Sequence, residues 1–324
     1  MPNNTIYPIG KQNQPWDEND KAQWLAIQTV KRSYQEEVLN KIDSLKDIYK
    51  IEKYGALSYS AERYPLFLLK SHTWNPKKPC VLITGGVHGY ETSGVQGALR
   101  FLETSAKDYH DAFNMLVVPC VSPWGYETIN RWNPYTVDPN RSFKESGEAE
   151  EALLLMKYLK DHNLSFMVHI DLHETTDTDN SEFRPALAAK DNIHQPYWDI
   201  PDGLYLVGDS EKPGHDFQKA IIQGVSKVTH IAPSDENDKI IGVKTTQEGV
   251  INYEIAKLGL ATGMTDCVYS TTTEVYPDSE KINDETCIQA QVAAVCSGLD
   301  YVIDQTSSMT PPHFLRFLIE NNNQ

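Results

Sequence analysis

Residues 88–91, His-Gly-Tyr-Glu, place an imidazole and a carboxylate three positions apart. A catalytic zinc typically takes three protein ligands and keeps one position open for water, so this pair could supply one nitrogen and one oxygen donor. An H-x-x-E quartet alone is a common coincidence, and most such pairs are surface pairs. Here it follows CVLITGG, a short apolar run that reads as a buried strand ending in a Gly turn. Such a turn can aim both side chains at one point. A second polar cluster, Asp171-Leu172-His173-Glu174, ends the run SFMVHI, and Glu274 lies inside VYSTTTEVY. His173 would complete a His₂Glu set. An acidic stretch through Glu174, Asp177 and Asp179 could hold a second metal, but acidic loops at strand ends are more often simply solvated.

Strand alternation places His169, Asp171 and His173 on one face and Val168, Ile170 and Leu172 on the other. Three ionisable groups on one face of a core strand are costly unless paired or metal-bound. His169, further back in the strand, is expected to be a hydrogen-bonded core residue, and His173, at the strand end, the ligand. Arg131 and Arg141 lie in RWNPYTVDPNRSF, together with Asn140. Most loop arginines are solvated. Two of them with an asparagine, after a buried strand, could instead build an anion pocket, because Arg grips carboxylate with two parallel hydrogen bonds.

These residues need elements to hold them. Residues 17–47 carry apolar positions at helical spacing behind an acidic start and predict a helix. IYKIEKYGALSY and YPLFLLKSHTW predict two strands. CVLITGGV, ETSGVQGALRFLETSA, NMLVVPCVSP, EAEEALLLMKYLKDH and SFMVHIDLHET then read as strand, helix, strand, helix and strand. A long polar loop is expected at 123–147. Residues 174–250 are less regular, with a strand in IPDGLYLVG and a helix in HDFQKAIIQGVSKV. VYSTTTEVY is a strand and 282–305 a closing helix. Strands and helices in alternation, with near-continuous apolar strands, imply an α/β fold: a largely parallel sheet covered by helices on both faces. Ligands bind such sheets at the carboxyl ends of strands, where all three polar clusters fall. With no repeat and no clear linker, one domain is expected.

Composition agrees with an enzyme core and excludes other classes. The chain has 324 residues, enough to bury a large core without disulfides. It is 40% hydrophobic and 23% charged, which excludes collagen, coiled coil and low-complexity disorder. The net charge of −16 repels phosphate backbones and anionic lipid, so neither nucleic acid nor membrane is an expected partner. Five cysteines without a C-x-x-C pair point to thiols in a reducing compartment. The polar N-terminus shows no secretory h-region, and runs such as MLVVPCV are too short to span a bilayer, so the expected location is the cytoplasm.

In order and context these motifs resemble the zinc carboxypeptidase (M14) family. GGVHGYE resembles its H-x-x-E metal motif, RWNPYTVDPNR its R-x-N-x-x-x-x-D-x-N-R segment, DLHE its third-ligand strand, and TTTEVY the strand that bears the catalytic glutamate. The resemblance covers roughly residues 50–305. It implies a three-layer α/β/α sandwich with a mixed, mostly parallel sheet of about eight strands over 48–324, with 1–47 as an added helical extension. It implies one Zn²⁺ held by His88, Glu91 and His173, with Asp138 hydrogen-bonded to a ligating histidine. It makes Glu274 the general base and Arg131 the group that polarises the scissile carbonyl. Asn140 and Arg141 would grip the substrate's terminal carboxylate, and Tyr253, in GVINYEIAK, could close over it. The implied activity is hydrolysis of the C-terminal peptide bond of a free-ended peptide.

A second enzyme class is open. DLHETT is close to the form found in the succinylglutamate desuccinylase/aspartoacylase branch, whose members remove acyl groups from N-acyl amino acids on the same zinc trio. The ten-residue spacing from Arg131 to Arg141 and the lack of a β-rich C-terminal domain suit the carboxypeptidase better. A non-catalytic binding protein on the same scaffold would be marked by a lost ligand or glutamate, and all four positions hold competent residues.

Overall fold

The computed structural model describes residues 7–307, so the ends of both expected segments, 1–6 and 308–324, lie outside the described residues. The chain opens with α1 (Glu18–Ala26); a π turn at Gln35–Leu39 then leads into α2 (Asn40–Ser44). Next come β1 (Tyr49–Ala56), β2 (Pro65–Ser71), β3 (Cys80–Gly85), α3 (Thr92–Thr104), β4 (Asn114–Val118), α4 (Pro123–Thr128), α5 (Glu150–Asp161) and β5 (Val168–Glu174). A second π turn, Asp179–Phe183, precedes α6 (Arg184–Asp191), followed by β6 (Tyr205–Asp209) and α7 (His215–Val225). The hairpin β7 (Lys239–Ile240) and β8 (Val243–Lys244), then β9 (Val250–Tyr253), α8 (Ile255–Leu258), β10 (Tyr269–Val275) and α9 (Asp284–Ser307) complete the order.

Eight strands form one sheet in the order β1-β2-β4-β3-β5-β10-β6-β9. The four pairings β4-β3, β3-β5, β5-β10 and β6-β9 are parallel; β1-β2, β2-β4 and β10-β6 are antiparallel. This is the expected mixed, mostly parallel sheet. Its central strands β3, β4 and β5 are buried on both faces because side chains alternate between two cores. Val81 and Ile83 of β3 join Val168, Ile170 and Leu172 of β5 in a core with residues of α3, α7 and α9. Leu82 points the other way, into a core with Ala152, Leu155 and Leu159 of α5.

Among the described residues α9 alone is long and apolar enough to cross a membrane, and half of that stretch is buried within the fold. It packs against α3 and α7.

Three sequence expectations change. The single helix over 17–47 is broken: residues 27–33 leave the helix between α1 and the π turn. Lys31 N and Arg32 N donate to Glu127 O at 2.7 and 3.2 Å, and Tyr34 N to Glu127 Oε1 at 3.0 Å. Tertiary partners thus take backbone donors that a continuous helix would have used internally. The loop over 123–147 is not a solvated excursion, because all of α4 is buried. In the stretch 174–250, β6 and α7 fall where a strand and a helix were expected, and α6 and the β7-β8 hairpin are added to them.

Candidate metal centre and active-site cavity

The carboxyl ends of β3, β5 and β10 meet at one edge of the sheet. Gly86 adopts φ +60°, a conformation that favours glycine, and turns the chain out of β3 into the His88 loop. Glu91 is the N-cap of α3. In β5, His173 pairs in register with Glu274 of the parallel neighbour β10, so both side chains leave the same face of the sheet. Asp171 is likewise in register with Thr84 of β3.

His88, Glu91 and His173 converge, with one donor atom from each lying within 4.8 Å of the others. All three are buried. Glu91 Oε1 is 2.8 Å from His88 Nδ1, and its Oε2 is 2.7 Å from His173 Nδ1. The far nitrogen of each ring has its own carboxylate: His88 Nε2 is 2.9 Å from Asp138 Oδ1, and His173 Nε2 is 2.6 Å from Asp171 Oδ2. A carboxylate behind each imidazole fixes the ring and raises its basicity as a ligand.

The donor set fits a divalent cation. His173 Nδ1 is buried and, despite its closeness to Glu91, has no hydrogen bond of acceptable geometry. Burial opposes the charged form of His173, but Asp171 and Glu91 outweigh it and raise its pKa well above the usual value. Burial likewise opposes ionisation of Glu91, and the two histidines hold it below the carboxylate range. Two imidazoles thus sit among three carboxylates, Glu91, Asp171 and the partly buried Asp138, which is also paired with Arg131; a metal ion would complement this donor set. Among the described residues this trio is the one group of such residues arranged to hold a metal.

His169 stands two residues behind Asp171 and plays a different part. Its Nε2 lies 3.1 Å from Thr84 Oγ1 and its Nδ1 3.0 Å from Thr265 Oγ1. Burial lowers its pKa to about 4, so it is a neutral core residue near pH 7.

A cavity of about 790 Å³ opens beside the trio. His88, Arg131, Asp138, Asn140, Arg141, Tyr253 and Glu274 all line it. Glu274 accepts from Thr175 Oγ1 at 2.9 Å, and Thr175 in turn lies 2.8 Å from the Tyr205 hydroxyl. Burial pushes Glu274 up to about 7, in the range of a general base at neutral pH. Asp138 ties the arginine loop together: Oδ1 also accepts from Asn140 N at 2.8 Å, and Oδ2 from Arg131 Nε at 3.2 Å. Burial would raise the Asp138 pKa, but Arg131 and His88 hold it well below the usual range. Arg131 also reaches Asp179 Oδ1 at 3.5 Å. Arg141 is exposed and lines the cavity; its Nη1 donates to Asn140 O at 2.6 Å, and its charge helps to hold Asp138 ionised. Asn140 Oδ1 accepts from Ala261 N at 2.8 Å, which leaves its amide nitrogen as the end that could donate to a ligand. Two β-branched residues hold left-handed backbone around this loop, Ile129 at φ 55° and Thr136 at φ 60°. Such strain persists only where the surroundings fix it.

Sequence reasoning missed several members. Asp171 backs His173, and its i, i+2 placement on the ligand's own strand face was the available signal. The acidic stretch at the end of β5 is solvated only at Asp177, which is exposed; Glu174 and Asp179 are buried. Glu174 caps α3, and Asp179 accepts from Tyr90 Oη at 2.9 Å. Phe183, at the end of the π turn, and Arg184 and Leu187, in α6, also wall the cavity, and no motif in the sequence announces them.

Residues 77–195 match the succinylglutamate desuccinylase/aspartoacylase catalytic domain. The match takes in His88, Glu91, the whole arginine loop and His173, and stops before Tyr253 and Glu274. The chain shares its fold with metallo-carboxypeptidases of known structure. Its fold is shared with a candidate metallopeptidase from Shewanella amazonensis, at 19% identity and TM-score 0.58, covering 88% of this chain and 93% of that one. A metallo-carboxypeptidase from Burkholderia cenocepacia is similar at 17% identity and TM-score 0.53, over 89% of this chain and 70% of that one. A Pseudomonas aeruginosa metallo-carboxypeptidase, solved with (2-guanidinoethylmercapto)succinic acid, gives 13% identity, TM-score 0.55 and coverages of 90% and 70%. Compared with curated proteins, the sequence has no match.

Proposed function

We propose that this protein is a zinc-dependent metallocarboxypeptidase that removes the C-terminal residue of a free-ended peptide. The observation that carries this reading is a buried His₂Glu donor set whose His88 lines the same cavity as Arg141 and as Glu274, which is in register with His173. His88, Glu91 and His173 would hold the metal. When bound, zinc lowers the pKa of a coordinated water and polarises a carbonyl. Glu274 takes the attacking water's proton and delivers it to the leaving nitrogen. Arg131, fixed by Asp138 and Asp179, donates to the carbonyl oxygen as charge develops there. Arg141 and the Asn140 amide hold the terminal carboxylate, so that cleavage falls one residue from the end. Tyr253, half-buried at the end of β9, closes over the bound substrate.

The family match favours a second reading on the same residues, deacylation of an N-acyl amino acid. Both reactions cleave an amide next to a carboxylate, and the length of the acyl side separates them. We also propose that residues 1–47 are an extension packed on a 48–324 core, and that the protein works in the cytoplasm. Trp24, packed with its ring 5.6 Å from Trp132, supports the first, and five cysteines without a disulfide support the second.

The test is mass-spectrometric product analysis on zinc-loaded protein with a pool of free-ended peptides, amidated controls and N-acyl amino acids, with Glu274→Gln as blank. Loss of single C-terminal residues from free-ended peptides alone supports the carboxypeptidase. Release of acyl groups alone moves the protein to the deacylase. No product in any pool removes both.

A further inference from the structure

Arg32 lies in the segment before β1, outside the matched family domain and far in sequence from every site motif. Its guanidinium nevertheless sits beneath the metal loop. Nε donates to Tyr126 O at 2.6 Å, Nη1 to Thr92 Oγ1 at 2.6 Å, and Nη2 to Gly89 O at 2.9 Å and Tyr90 O at 3.4 Å. The guanidinium carbon also lies 3.5 Å from the centre of the Tyr126 ring. Gly89, Tyr90 and Thr92 are the residues interleaved with and following the ligands His88 and Glu91. One planar fork therefore grips the loop that carries both ligands and ties it to α4.

Ser122 holds the start of the loop, its N donating to Gly86 O at 2.8 Å and its Oγ to Val87 O at 2.6 Å, and the fork takes the carbonyls that follow. Gly89 runs so close to α4 that an added Cβ would fall 2.1 Å from Tyr126 N. Without the fork the carbonyls of Gly89 and Tyr90 would lose these donors. The neighbouring arginine loop is supported from the same segment: Gln28 Oε1 accepts from Asn130 Nδ2 at 2.7 Å, and Trp16 and Trp24 pack on Trp132.

We infer that Arg32 is a positioning residue for the metal centre, setting the separation and aim of His88 and Glu91 through the backbone of the loop between them. The inference rests on the proposed metal site. A lysine cannot replace it, because a single ammonium cannot span four acceptors in a plane.

The experiment measures zinc affinity by chelator competition, and the visible spectrum of the cobalt(II)-loaded protein, for wild type, Arg32→Ala and Arg32→Lys. Circular dichroism of the metal-free proteins serves as the folding control. Wild type is expected to bind one equivalent. Arg32→Ala should bind roughly tenfold or more weakly, the scale seen when groups supporting a ligand are removed, with an altered cobalt spectrum. Arg32→Lys should recover only part of the affinity. If Arg32→Ala does not fold, Thr92→Val, which removes one arm of the fork, replaces it, with a smaller loss of affinity expected. Wild-type affinity and an unchanged spectrum in a folded variant overturn the inference alone. A wild-type protein that takes up no stoichiometric metal overturns the metal site and the inference together.

Discussion

The backbone N–H of Glu174 donates to Glu91 Oε2 at 3.1 Å, and the Glu174 carboxylate returns to accept from Thr92 N at 3.1 Å and Ser93 N at 2.7 Å. Glu91 is thus held by the strand that supplies His173, and that strand is held by the helix that Glu91 begins. A carboxylate at a helix N-terminus satisfies donors that have no partner within the helix. The reciprocal tie couples two elements of the donor set through main-chain atoms.

His173→Ala should abolish stoichiometric zinc binding, while His169→Ala should leave it intact. Both histidines are buried on one face of β5, but His169 is hydrogen-bonded to two threonines and His173 points a bare nitrogen at Glu91. Equilibrium dialysis with elemental analysis decides. Equal loss from both variants would leave the assignment without support. His169→Ala should instead lower stability by about 1–3 kcal/mol through the polar groups it strands.

Asp171→Asn should weaken zinc binding about 10–100-fold without removing a ligand, because it takes charge and orientation from behind His173. The expected signature is a shifted metal affinity in chelator competition with an unchanged stoichiometry. A drop in stoichiometry would make Asp171 itself a ligand.

Arg141→Ala should raise KM for substrates with a free terminal carboxylate and change little for amidated ones. Truncating a charge-assisted contact to a carboxylate costs about 1.5–3 kcal/mol, or roughly 10–100-fold. Steady-state kinetics on a matched pair of peptides reads this directly, and equal losses on both would speak against the clamp.

The kcat/KM profile should rise from acid toward neutral pH. Glu274 is held at about 7 by burial and acts as a base only when ionised. A cation bound beside it favours the carboxylate, so the midpoint of the limb should fall at or below that value. Glu274→Gln should lose about 10²–10⁴ in rate and the limb with it, while metal stays bound. A variant that keeps the same limb would move the base elsewhere.

Glu151→Gln should stabilise the protein above neutral pH and not below pH 4. Burial pushes Glu151 up to about 7, offset in part by a backbone hydrogen bond and by long contacts of 3.4 Å from Asn133 and Ser122. Its folded pKa lies above its unfolded one. Its favourable contribution is therefore full below about 4.5 and is lost as pH rises through about 7, a swing of about 3 kcal/mol. Thermal melts of both proteins from pH 4 to 9 show the crossing, and parallel curves would contradict it.

Much of the site was legible because its residues sit next to strand ends that the sequence marks plainly. An apolar run, a glycine pair and then H-x-x-E can be read without coordinates, and period-2 alternation alone separates His169, Asp171 and His173 from the core face of β5. The layer architecture follows from the same near-continuous apolar strands. What local pattern could not carry is everything that depends on pairing across long separations. The register that sets Glu274 beside His173 joins strands a hundred residues apart, and hydrogen-bond ladders leave no trace in composition. The break at residues 27–33 defeated a helical periodicity because Glu127, far along the chain, offered better acceptors. The burial of Glu174 and Asp179 was decided likewise, by a helix terminus and a tyrosine that only the fold brings near. The sequence determined which donors the protein owns and at which strand ends they fall; tertiary structure decided their partners, because charge and hydrogen bonding act through space and the sequence records only order along the chain.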